Sequence, residues 1–320
     1  MDHSELLEIA RRPFSPDTVL EVPASQLQYD LAREILENED DGYPQLFYDS
    51  DRNIAIIAAA PSPLHSEMAG AVLGSIFREV IRSQVNSDLA NGLNIATYET
   101  STRTTNRGRT TRAWDGALIY SEGTRETLMI SVEVGVSQSY SSVRAAISWS
   151  MCALGCRLGL ALRISEGDRG DIPPIRRYAL NEEVEHTVLQ AEEAFRDQLM
   201  HRPYGPLESD GFVWFGKVKE VILDVYRRQD DDYPPGTLLD PHDAFRIVEN
   251  GEYVAHEVSP NLRDVVIGDC IPSHILSGQV VKETPVNFFR REWFENTFQR
   301  SMVRTATLRV RHKTEVNVQH

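Results

Sequence analysis

Two acidic residues on neighbouring strands offer the clearest chemistry in this sequence. Asp115 opens the segment Asp115-Gly-Ala-Leu-Ile-Tyr120, which reads as a strand stopped at the turn-forming Ser121-Glu-Gly-Thr-Arg. Glu133 lies in a second strand, Leu128 to Val136. There Leu128, Ile130, Val132, Val134 and Val136 alternate onto one face, and Met129, Ser131, Glu133 and Gly135 onto the other. A hairpin centred near Gly123 sets Asp115 opposite Val132, which makes Asp115 and Glu133 close cross-strand or diagonal neighbours. Two carboxylates held together repel unless a cation or a shared proton compensates them. Hard divalent ions such as Mg²⁺ are held by one or two carboxylates plus waters and phosphate oxygens, so metal-assisted phosphoryl chemistry is the first expectation.

The elements around this pair must position it. After Glu133 the spacing predicts a helix over about Ser139 to Leu154 and a strand over Arg157 to Ile164. Such a strand–helix–strand crossover makes the flanking strands parallel. Upstream, Leu46-Phe-Tyr-Asp and Asn53 to Ala60 read as strands. Ser62 caps a helix with Pro63 in its first turn, and the apolar stripe Leu64, Met68, Ala71, Val72, Ile76, Val80 and Ile81 follows. His65 reads as a packing or capping residue, because no second His stands at metal spacing. Ala24 to Asn38 looks helical, with Leu27, Leu31, Ile35 and Leu36 on one face; residues 1–23 read as a loosely docked tail. Leu93 to Thr97 and the stretch within 211–228 read as strands, and Asn181 to His201 as a helix. Phe288 to Met302 reads as a helix and Thr305 to Val310 as a closing strand. Residues 1–44 thus form a tail and helix, 45–228 the core, and 229–320 a C-terminal extension packed on that core, entered through the acidic Gln229-Asp-Asp-Asp-Tyr-Pro-Pro-Gly236.

The order strand with Asp, hairpin, strand with Glu, helix, strand resembles the PD-(D/E)XK nuclease superfamily, in the manner of its Uma2-like branch. The matching segments are Pro61-Ser-Pro-Leu-His65, Trp114-Asp115-Gly116 and Glu133-Val-Gly-Val-Ser137, and the likeness covers about residues 45–166. It implies a restriction-endonuclease-like α/β core: a mixed central sheet flanked by helices, with N- and C-terminal additions. It implies hydrolysis of DNA phosphodiester bonds, with Mg²⁺ or Mn²⁺ held by Asp115, Glu133 and either Glu67 on the first helix or the Val134 carbonyl. It also implies a Lys two residues after Glu133, and Gly135 stands there instead. No Lys occurs before Lys217. Gln138, Arg144 or Arg163 could stand in; Gln138 is the candidate to orient a water, because an Arg cannot be deprotonated to act as a base.

Composition bounds the partners. The 320 residues carry a net charge of −15, which argues against broad, sequence-independent nucleic-acid binding. The stretch from Thr102 to Arg112 is nevertheless basic and leads into Asp115, so Arg109 and Arg112, with Arg144, are phosphate-contact candidates for DNA; an ordinary solvated loop is the competing reading. The C-terminal stretch from Arg300 to Lys313 is basic as well. No apolar run of ~18 residues exists, so no membrane partner is expected. The three cysteines form no disulfide framework and the N-terminus lacks a signal-like stretch, which points to an intracellular protein, cytoplasmic or nuclear. A homodimer is left open.

Two rival functions remain. Gly135-Val-Ser137-Gln-Ser139 is close to a serine-hydrolase nucleophile elbow, but its second Gly is absent and Asp171, Asp224, His242 and His256 lie in no diagnostic context. With the Lys absent, the same fold could also be a catalytically impaired scaffold with a binding or regulatory role.

Overall fold

The computed structural model describes residues 3–12, 14–38, 44–82, 91–97, 100–105, 108–136, 139–167, 182–228, 233–234, 236–255, 265–271, 276 and 282–318. It is a mixed α/β protein with two principal sheets, and none of its described helices is long and apolar enough to cross a membrane.

The larger sheet has seven strands: β4 (Leu93–Ala96), β7 (Gly116–Glu122), β8 (Arg125–Val136), β9 (Leu158–Glu166), β12 (Val218–Arg227), β13 (Asp243–Glu249) and β14 (Glu252–Tyr253). Their order is β14-β13-β12-β9-β8-β7-β4. β7 and β8 form the expected antiparallel hairpin, and β8 runs parallel to β9. The connection between β8 and β9 is α4 (Tyr140–Leu154), whose N-cap Ser139 accepts a hydrogen bond from the Ser142 amide and whose C-cap Gly155 sits at φ 75.

Both faces of this sheet are buried. One packs on α3 (Pro63–Arg82), α5 (Glu182–His201) and α7 (Arg291–Val318), through residues such as Met68, Val72, Phe195, Phe298, Val132 and Leu162. The other packs on α4, where Val143, Ile147 and Met151 meet Ala117, Ala161 and Tyr226. Coverage on both sides explains why β8 is buried at every residue from Leu128 to Val136, Ser131 and Glu133 included. Gly116 lets α3 approach β7 closely: a Cβ there would stand 2.2 Å from Leu73 Cδ1.

The smaller sheet has five strands: β1 (Val19–Pro23), β2 (Gln45–Asp49), β3 (Ile54–Ala58), β5 (Thr100–Thr105) and β6 (Gly108–Ala113), in the order β1-β3-β2-β6-β5. One face rests on α1 (His3–Ala10) and α2 (Gln26–Glu37), burying Leu6, Ala10, Tyr29, Leu46, Tyr48 and Ile57. The chain passes from this sheet to the larger one in two residues, Trp114 and Asp115, between β6 and β7. A two-stranded ribbon, β10 (Leu207–Ser209) with β11 (Phe212–Phe215), and the short α6 (Ile267–Cys270) complete the described elements.

Four expectations are corrected. The N-terminal segment is no loose tail, since Leu6 and Ala10 are fully buried and Val19 to Pro23 pairs along β3. On α2 the buried residues are Tyr29 and Ala32, whereas Leu27, Leu31 and Ile35 face outward. The basic stretch from Thr102 to Arg112 belongs largely to the β5–β6 ribbon, because its Thr residues suit a pleated, half-buried surface. The C-terminal strand is instead a continuation of one 28-residue helix, α7.

That helix is tied to the core by charge. Arg309 is 1 % exposed, pairs with Glu166 at 2.7 Å and also donates to the Trp214 carbonyl at 2.8 Å. Its guanidinium lies 5.2 Å from the centroid of the Phe215 ring. Removing one partner of a buried ion pair leaves the other charge uncompensated, at a cost of about 3–5 kcal/mol. Arg309→Met should therefore shift the denaturant midpoint by a loss of about that size. A loss under about 1 kcal/mol would show that the pair does not anchor α7.

Candidate functional site

Five elements deliver the site. Asp115 enters β7, Glu133 sits on β8, His65 is in the first turn of α3, Asp17 precedes β1, and Arg112 is on β6. Together they line a cleft between the two sheets that opens to solvent.

The register differs by one residue from the sequence expectation. A shift between Leu118 and Ile119 places Gly116, not Asp115, opposite Val132, and Asp115, one residue ahead of the paired ladder, comes beside Glu133. The bulge brings the two carboxyls into direct juxtaposition. Asp115 Oδ2 accepts a hydrogen bond from the Val134 amide at 2.6 Å, which fixes its orientation.

His65 supplies the cation. Its Nε2 lies 2.7 Å from Asp115 Oδ1 and its Nδ1 lies 3.2 Å from Asp17 Oδ1. Charge attraction and hydrogen bonding both contribute to these two contacts. Burial works against the imidazolium, but Asp115 and then Asp17 outweigh it and hold the His65 pKa well above 6.5. Asp17 is buried too, which raises its pKa; His65 and the Ser62 amide, donating at 2.7 Å, bring it below the ordinary value. Ser62 also caps α3, accepting the His65 amide at 3.3 Å.

Glu133 behaves oppositely. Burial, and then the charge of Asp115, push its carboxyl well above the usual carboxylate range, against the opposing charges of His65 and Arg112. Arg112 is itself buried and pairs with Asp49 at 2.8 Å.

The structure thus brings Asp115, Glu133 and Arg112 together. Glu67 does not join them: on α3 it turns to α7, where Arg300, Arg304 and Ser301 hold its carboxylate. Arg109 pairs with Asp30 at 2.6 Å. Arg144 pairs with Asp240 at 2.8 Å and donates to the Leu239 carbonyl at 2.7 Å. Gln138 and Ser137, with Asp171 and His256 of the serine-hydrolase alternative, lie outside the described residues. Arg163, the register partner of Gly135 on β9, is held by Asp224 at 2.6 Å and lies 4.4 Å from the centroid of the Tyr140 ring. Among the cysteines, Cys156 is buried, and burial pushes its thiol up to about 12.

Among the described residues, no group of three or more His, Cys, Asp and Glu is arranged to hold a metal ion. What the site offers is two adjacent carboxyls, hard oxygen donors of the kind that hold a hydrated Mg²⁺ or Mn²⁺. Sequence reasoning overlooked Asp17 and underrated His65. The signal for His65 was present, since it stands four residues before Ala69 in the buried face of α3. Asp17 carried none, because its role depends on pairing across the fold. No protein-family model matches the chain, and no curated protein matches it.

The diverted Glu67 makes its own pH signature. Burial raises its pKa, but Arg304 and Ser301 outweigh this and hold it below 4.5. A depressed carboxyl contributes stability above its unfolded pKa and loses it as pH falls through the folded value. Glu67→Gln should lower stability by about 0.5–1 kcal/mol at neutral pH and by much less at pH ~3, read from paired denaturation curves. An equal loss at both pH values would rule out the charge interaction as its source.

Proposed function

We propose that the chain is a metal-dependent, nuclease-like hydrolase of DNA phosphodiester bonds with a restriction-endonuclease-like core. The observation that carries this reading is the placement of Asp115 beside Glu133 at a cleft, with the β7–β8 hairpin followed by a parallel α4–β9 crossover. Asp115 and Glu133, with the Val134 carbonyl, would hold Mg²⁺ or Mn²⁺. Such an ion polarises a scissile phosphate and lowers the pKa of a bound water.

The chain's own residues do the rest. The Val134 amide aims one Asp115 oxygen, and His65 restrains the other while offsetting the negative charge of Asp17 and Asp115. Arg112 presents the cleft with a buried cation, suited to a phosphate oxygen. Gln138, next to the start of α4, takes the water-orienting role. DNA is the expected partner, met through the β5–β6 ribbon, in an intracellular compartment.

One observation favours a second reading, a catalytically impaired scaffold. Both oxygens of Asp115 already have partners, and Gly135 brings no charge to the site. In that case the His65 cation substitutes permanently for a metal.

The test is cleavage of single- and double-stranded DNA with Mg²⁺ or Mn²⁺, comparing wild type with Asp115→Asn combined with Glu133→Gln. The double variant should lose at least about a hundredfold in rate, the scale typical of removing preorganised electrostatic groups. Activity surviving both changes would show that the site is elsewhere. A folded wild type inert on both substrates would favour the scaffold.

A further inference from the structure

The cleft has a second wall that phosphodiester chemistry leaves unused. It is the face of the smaller sheet turned away from α1 and α2. Phe47 pairs with Ile56, and Gln45 and Val19 both pair with Ala58, so these five side chains form one contiguous patch over three strands. The patch is flat and mostly apolar. Ala58, and Ala146 on α4 opposite, are small enough to leave a slot rather than a filled core.

The rim of the slot is polar and only partly satisfied. Arg112 Nε, a donor, and Asp17 Oδ2, an acceptor, are buried and find no hydrogen-bond partner among the described residues. Gln45 adds an amide that can both donate and accept. Buried polar groups without partners are costly, and their concentration in one cleft marks a place for a ligand with matching edges.

We propose that this slot receives an unpaired nucleobase, so that the substrate of the carboxylate site is single-stranded DNA or a nucleotide extruded from a duplex; this rests on the nuclease reading above. The chemistry is complementary at both ends. A base offers a planar apolar face to Phe47 and Ile56, and an edge of donors and acceptors to Gln45, Arg112 and Asp17. The attached phosphate then falls toward Asp115 and Glu133, where a cation is needed. A base in a duplex has both faces stacked and its Watson–Crick edge engaged, so it cannot enter the slot.

Neutral deoxynucleosides separate the slot from the metal site, because they carry no phosphate and need no ion. With the full-length protein in EDTA, at least one of the four should perturb the NMR spectrum and bind in the millimolar range or tighter. Gln45→Ala and Phe47→Ala should each weaken that binding about tenfold, the scale of losing one stacking or edge contact. Leu27→Ala, on the exposed face of α2, should not change it. Phe47 is part of the core, so Gln45→Ala decides the matter if Phe47→Ala fails to fold. With Mg²⁺, a single-stranded oligonucleotide should be cut at least about tenfold faster than the same sequence fully paired, and Gln45→Ala should shrink that preference. No deoxynucleoside bound by folded wild type at ~10 mM would overturn the slot, whatever the cleavage result. So would cutting with no single-strand preference and no effect of Gln45→Ala, although the nuclease reading would stand. Nucleoside binding without any metal-dependent cleavage would uphold the slot and sink the nuclease reading.

Discussion

The burial of several acids around one imidazole is the constraint that the site region must satisfy. Asp17, Asp115 and Glu133 come from three separate stretches of chain, and His65 contacts two of them directly. Carboxylates removed from water are tolerable only if neutralised or protonated. The protein uses both devices, with His65 held charged and Glu133 driven toward its neutral form. The first turn of α3 must therefore sit over the entry to β7. Gly116 lets the middle of α3 approach β7 through Leu73, and the hydrogen bond from the Leu64 amide to the Thr305 hydroxyl ties the first turn to α7.

This arrangement also explains why the two sheets meet where they do. Trp114 and Asp115 carry the chain from one sheet to the other, so the charged cluster forms at their junction, with apolar strand faces on one side and α4 on the other. The same geometry serves either of two ends. With a divalent cation the carboxyl pair is a phosphoryl-transfer site, and without one it is a self-neutralised structural cluster. The difference lies in whether Asp115 exchanges the company of His65 for a metal, an energetic balance between a buried ion pair and a hydrated ion.

Much of the larger sheet was legible because its signals are local. The alternating apolar face of β8, the turn at Gly123, the Ser62-Pro63 cap and the crossover helix all follow from near-neighbour patterns, and all are present. Errors arose where tertiary context outweighed pattern. The Leu27, Leu31 and Ile35 stripe satisfies helical periodicity, yet Tyr29 and Ala32 pack on the smaller sheet instead. Residues 1–23 lacked any period because a short helix and one edge strand are too brief to display one. Of the site, the Asp115–Glu133 pair was readable, since hairpin register is short-range. Asp17 and the cation role of His65 were not, because each depends on partners brought together only by the fold. Glu67, expected in the first turn of α3, lies just past it and is claimed by Arg304 on α7.

The most direct test is calorimetric titration of the full-length protein with Mn²⁺ at moderate salt, in the presence and absence of a non-cleaved DNA strand, comparing wild type with Asp115→Asn. A saturable site in the wild type that disappears in Asp115→Asn is the predicted result and would establish the carboxyl pair as a metal centre. No binding by wild type under either condition, or equal binding by the variant, would contradict it and leave His65 and Arg112 as the cations that compensate the site.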